Sequence, residues 1–83
     1  MEALYAVSLV NDDVTPLDFV IDLLVETFTL DPELAQKMTV KVHNEGNAIV
    51  AFYDQKTSLA KIDEAHNRAR KLGYPTTFKM IKM

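Results

Sequence analysis

Three prolines and two glycines punctuate this 83-residue chain, and their positions leave it few folds to adopt. Pro16 follows Thr15, and Pro32 follows Asp31. In each case a residue able to cap a helix precedes a proline at the first helical position, where no N–H is needed. Gly46 and Gly73 each lie just past a run of helical apolar spacing, where a left-handed residue ends a helix. Pro75 stands two residues beyond Gly73 and cannot prolong that helix.

The segments between these marks read in order. Leu4 to Val10 is an apolar run with Tyr5, Val7 and Leu9 on one face, the pattern of a strand. From Leu17 to Phe28 the acids Asp18, Asp22 and Glu26 fall four apart, a narrow wet stripe on a helix buried around most of its circumference, with Thr15 as its cap. Leu34, Ala35, Met38 and Val42 give the buried face of a second helix that ends near Asn44. Ala48 to Tyr53 (AIVAFY) is apolar on both faces, which predicts a central strand. A third helix starts at Thr57 or Ser58 and buries Leu59, Ile62, Ala65, Ala69 and Leu72. Thr76 to Met83, with alternating lysines, closes the chain as an edge strand. The order β-α-α-β-α-β predicts an α+β fold: a three-stranded, mainly antiparallel sheet with three helices packed on one face, forming one domain over residues 1–83.

Composition narrows the function. A net charge of −3 supplies no basic field for nucleic acid. No segment approaches the roughly 20 apolar residues of a membrane span, and the start MEALYAVSLVNDD lacks the basic and apolar regions of a secretory signal. A monomer in the cytoplasm is the expectation. Without cysteine there is no disulfide and no thiolate ligand or nucleophile. His43 and His66 are the only imidazoles and belong to different helices, so no metal site or cofactor is expected. Ser8 and Ser58 sit in no nucleophile motif, which argues against an enzyme.

One stretch stands out: Asn11-Asp12-Asp13 before a helix that already has a cap residue in Thr15. Read residue by residue, it is either a turn with a solvated helix start or a set of acceptors that, beside His43, hold a cation such as a peptide α-amino group. The residues alone leave both readings open.

NDDVTPLDFV, however, resembles the NDDYTPMEFV signature of the ClpS family, the bacterial and plastid adaptors of the N-degron pathway. MTVKVHNEGNAIV is similar to that family's second signature, and the likeness runs from about Tyr5 to Lys82. The resemblance implies that Asn11, Asp12 and His43 grip the α-amino group of a substrate's first residue. Asp13 would support the loop, and Thr15 would cap the helix and touch the substrate backbone. Leu17, Val20, Thr39, Val42 and Thr76 would form the apolar pocket for the first side chain. Lys61 would dock on the N-domain of a Clp-family AAA+ ATPase, to which the bound substrate protein is handed; plastid stroma would be the compartment in a photosynthetic eukaryote. Leu17 replaces a family Met that guards against β-branched side chains, Thr39 replaces a second Met, and Thr76 replaces a Leu. These changes predict a wider, more polar pocket with altered specificity. Near Lys61, Lys56 and Leu59 stand where the family usually has acids. Against the family pattern, the domain is expected to lack the usual flexible N-terminal extension. The alternative is a non-catalytic interaction module with the topology of the ribosomal stalk protein's C-terminal domain, which would not recognise N-terminal residues.

Overall fold

The computed structural model describes residues 3–83. β1 (Leu4–Val10) leads through a loop to α1 (Leu17–Phe28) and α2 (Pro32–Glu45). β2 (Asn47–Asp54), α3 (Gln55–Lys71) and β3 (Thr77–Lys82) complete the order β-α-α-β-α-β. β1 pairs antiparallel with both other strands, so the sheet order is β2-β1-β3.

The centre of the sheet is therefore β1 and not β2, against the expectation from AIVAFY. Burial explains the exchange. Ala6, Val7, Ser8 and Leu9 are buried in succession, whereas Ile49 and Phe52 of β2 remain about half exposed. On the inner face Leu9 lies between Ala48 and Phe78, and Val7 lies between Ala51 and Met80. These residues meet the core side chains Val20, Leu23, Leu24, Phe28, Val42, Ile62 and Ala65 from the three helices. On the outer face the small Ala6 is covered by its own strand neighbours, Phe52 and Ile81. An edge strand can thus be apolar on both faces when its outward side chains cover a small residue of the strand beside it.

Two helical faces also differ from the spacing. In α2 the buried positions are Ala35, Thr39 and Val42, with Met38 partly buried, while Leu34 is exposed. α3 starts earlier than Thr57: Asp54 is its cap and accepts from the Thr57 N–H at 2.7 Å. Its buried line is Ser58, Ile62, Ala65 and Ala69, and Leu59 and Leu72 point to solvent. Small side chains on that line let α3 lie close to the sheet. Gly46 and Gly73 both adopt the left-handed conformation at helix ends, with φ of 91° and 77°. α1 ends without glycine, at Thr29 with φ 54°, whose N–H donates to the Leu24 carbonyl. That end is held from α3: Lys61 Nζ donates to the Thr27 carbonyl at 3.0 Å, and Arg68 donates to Thr27 Oγ1 and Glu26 Oε2. α1 has no basic residue in its own last turn, so these cations complement its dipole from another helix.

Candidate functional site

The loop after β1 is organised by Asp12. Its Oδ1 accepts the Val14 and Thr15 N–H groups at 2.9 and 2.7 Å, and its Oδ2 accepts the Thr15 hydroxyl at 2.8 Å. This is the local Asx geometry that short acidic side chains favour in turns. Burial pushes the Asp12 carboxyl up, but the bonds from Thr15 and Val14, helped by the charge of Arg70, outweigh it and hold the group below its ordinary value. Asp12 is a carboxylate at neutral pH.

Thr15 does not cap α1, contrary to expectation. Pro16 occupies the capping position with extended backbone (φ −62°, ψ 142°) and makes no side-chain cap bond; in the first turn Asp18 Oδ1 accepts the Phe19 N–H at 2.9 Å. The Thr15 hydroxyl instead points across the domain to Thr76 Oγ1, 2.8 Å away. Asp12 and Thr15 together thus pin the loop to the segment before β3. The Asn11 N–H adds a second anchor, donating at 2.9 Å to the Gly46 carbonyl in the turn after α2.

A hollow of about 20 Å³, or about 290 Å³ when the open solvent space at its mouth is counted, lies within this frame. Leu17 and Val20 of α1 form one wall, and Thr39 and Val42 of α2 face them. Thr76 and the end of β1, Leu9 and Val10, close the floor side, and Asn11, Asp12 and Thr15 form the polar rim. Leu17 is 54% exposed, as a residue at the mouth must be, whereas Val20, Val42, Thr39 and Thr76 are buried. All five residues expected for the apolar pocket therefore share one hollow with three of the five expected for the α-amino group. Asp13 and His43 are exposed and lie outside its lining. His43 sits in the last turn of α2, one position beyond Val42. Leu9 and Val10 were missed; their place immediately before Asn11 is the signal that would have found them.

The rim is not saturated. A carboxylate offers about four acceptor sites, and the three bonds to Asp12 leave one on Oδ2. The side chains of Asn11 and His43 make no hydrogen bond among the described residues, where no group of three or more metal-binding side chains occurs either. Lys61 lies elsewhere, half-buried, with its ammonium on the Thr27 carbonyl and 5.4 Å from the centre of the Tyr53 ring.

Residues 1–79 match the family model described as ATP-dependent Clp protease adaptor protein ClpS. The Clp protease adapter ClpS of Nautilia profundicola is 44% identical over 75 residues, which cover 90% of this chain and 77% of that protein. The one from Herminiimonas arsenicoxydans is 38% identical over 73 residues, 88% and 72% of the respective chains. The structure of Agrobacterium tumefaciens ClpS2 bound to L-phenylalaninamide superposes over the whole of both chains with a TM-score of 0.95 at 28% identity. The chain belongs to the ClpS family, the adaptor proteins of the ATP-dependent Clp protease.

Proposed function

We propose that this domain binds the free N-terminus of substrate proteins, with the α-amino group at the Asn11–Asp12 rim and the first side chain in the hollow. One observation supports the reading above the others: the open acceptor site on Asp12 and the unbonded Asn11 amide stand at the mouth of an apolar recess. An ammonium group carries several directed N–H donors and is mostly protonated at pH 7, given a reference pKa of about 7.7–8.0. L-Phenylalaninamide, the ligand of the Agrobacterium relative, combines a free α-amino group with a large apolar side chain. His43, outside the lining but next in sequence to the wall residue Val42, is the third polar partner in this reading, and Asp13 adds negative charge to the loop. The hydrogen bonds to charge contribute about 1.5–3 kcal/mol each and the buried side chain a similar amount, so neither half suffices alone.

The role is that of an adaptor and not a catalyst: the bound protein passes to a Clp-family AAA+ ATPase. Lys61 supports the docking surface indirectly, because its ammonium is held by Thr27 and Tyr53 while its neighbours Lys56 and Leu59 are exposed at the start of α3. The stalk-like alternative gives Asn11, Asp12 and His43 no common task and yields to the family assignment.

Two peptides of one sequence, one with a free terminus and one acetylated, test the reading. Calorimetry should show micromolar binding for the first and none for the second. Equal affinity for both refutes it. His43→Ala should weaken the free peptide roughly tenfold while leaving the melting temperature in place.

A further inference from the structure

The chain between α3 and β3 reaches the polar rim from outside, and it has no regular structure of its own. Residues 72–76 belong to no helix or strand. Two of their carbonyls, those of Tyr74 and Thr76, converge on Nη1 of Arg70, which donates to them at 2.6 and 3.0 Å. That nitrogen carries two hydrogens in the guanidinium plane, and both are used. Arg70 stands in the last turn of α3, exposed and outside the lining of the hollow. A basic residue there suits the dipole of its own helix, but its donors go beyond the helix end to the connecting segment. From that segment two contacts run toward the site. The Tyr74 ring packs on Phe19 in the first turn of α1, with centroids 5.0 Å apart. The Thr76 hydroxyl lies 2.8 Å from the Thr15 hydroxyl, which donates to Asp12 Oδ2. Ionised Asp12 only accepts, so the protons run one way, from Thr76 to Thr15 to Asp12. Thr76 is 1% exposed, and water does not replace a bond lost there.

We infer that Arg70 is a positioning residue for the rim: by fixing the carbonyls of Tyr74 and Thr76 it sets where Thr76 meets Thr15, and so how Asp12 is held at the mouth of the hollow. Arg70 itself touches no ligand. A planar fork suits this task, because two carbonyls gripped in one plane constrain the segment as a point donor on a flexible stem does not. Its charge works in the same direction. Burial raises the Asp12 pKa, the Thr15 and Val14 bonds lower it, and the Arg70 guanidinium lowers it further. Loss of Arg70 therefore acts on Asp12 twice, through the field and through the loosened Thr15 bonds, and both effects favour the protonated acid.

This role presupposes the proposed binding of N-termini, and the experiment keeps the two apart. A free-terminus peptide and its acetylated twin are titrated against the wild type, Arg70→Met, Arg70→Lys and Arg68→Met. The Asp12 carboxyl is followed through its acid titration by carbon NMR on the ligand-free domain. Arg68 is the control: it lies on the same helix, but its donors go to Glu26 and Thr27 at the far end of α1. Arg70→Met should weaken the free peptide about tenfold and move the Asp12 titration up toward its ordinary 3.8. Arg70→Lys, which retains the charge and a donor, should leave the titration in place and bind within about threefold of wild type. Arg68→Met should lower the melting temperature with both readouts unmoved. An Arg70→Met domain that binds like wild type, or an Arg68→Met domain that loses as much affinity, overturns the inference and leaves N-terminal recognition standing. So does an Asp12 titration that ignores Arg70→Met or fails to return with lysine. A wild type that binds the acetylated peptide as tightly as the free one removes the proposed function instead, while the ligand-free titration still judges Arg70. Should methionine unfold the domain, Arg70→Gln carries the same two readouts.

Discussion

At the C-terminal end of α1 the Thr27 carbonyl receives Lys61, the Thr27 hydroxyl and Glu26 receive Arg68, and the Phe28 carbonyl receives the Tyr53 hydroxyl. Near the N-terminal end of the same helix, the Asn11 side chain makes no hydrogen bond among the described residues and Asp12 keeps an open acceptor site beside a recess. Both ends carry clusters of polar residues, and composition does not tell them apart. Their state of pairing does. A polar cluster whose partners are all inside the protein holds elements together; one with directed capacity left over, next to apolar space, is prepared for something that arrives from outside.

The sharpest break of this contrast lies within the rim itself, where Asp12 belongs to both kinds. Asp12→Ala removes three hydrogen bonds to a charged acceptor and should lower stability by about 2–4 kcal/mol, and it should abolish peptide binding as well. Asn11→Ala should shift stability by less than about 0.5 kcal/mol yet weaken a free-terminus peptide roughly tenfold. Denaturant melts and peptide titrations on the same samples check both. An Asn11 variant as unstable as the Asp12 variant would show that the amide is structural, and the rim would resemble the far end of the helix.

Lys61→Ala addresses the paired end. Losing a charged donor from a helix terminus and its place over Tyr53 should cost about 1–2 kcal/mol, with peptide affinity unchanged. A drop in affinity without a drop in stability would reverse the assignment of the two ends.

Which of these ends was legible in the sequence follows from how local its cause is. The order of elements, both glycine stops and the hollow's five wall positions came from periodicity, punctuation and family resemblance, all carried by neighbouring residues. The exchange of β1 and β2 was not legible, because Phe52 and Ile81 roof Ala6 only after three strands have met. The Thr15–Thr76 bond joins residues 61 apart, and nothing near Thr15 announces it; a threonine before Pro16 looks like a cap until its partner across the fold is known. Leu59 is exposed for a similar reason: it is more apolar than Ser58, but α3 approaches the sheet so closely that the smaller residue takes the inner position.

Ser58 also tests the rule that unpaired polar groups mark function. Its hydroxyl is fully buried and is the one buried side-chain polar atom without a partner among the described residues, yet it lies on the first turn of α3, outside the lining of the hollow. Unfilled capacity without adjacent space should be a plain cost. Ser58→Ala should therefore raise stability by about 1 kcal/mol, or about 4–8 °C in melting temperature for a domain of this size, with peptide affinity unaltered. A destabilised variant would mean that the hydroxyl has a partner after all.

The smallest expected effect comes from a third region, the contact between α3 and β3. His66 Nε2 accepts the Phe78 N–H at 2.9 Å, so the folded domain holds the neutral imidazole with its proton on Nδ1. Burial lowers the His66 pKa from its ordinary 6.5, the charge of Arg70 lowers it further, and Asp63 opposes them. The unfolded chain then binds this proton more readily than the folded one, so the contribution is fully present above the unfolded value of 6.5 and is lost as pH falls toward the lower folded value. Asp12 acts in a separate, more acid window. Its folded pKa lies below 3.8, so its contribution persists above that value and fades as pH falls through the folded one. Melting temperature followed from about pH 8 downward should show a shallow first decline near the histidine range and a steeper one in acid. His66→Gln keeps an acceptor for Phe78 without a titrating proton, and it should flatten the first decline alone. If the glutamine variant retains both declines, the upper window belongs to another group; His43, the other imidazole, is exposed and offers no buried bond to lose.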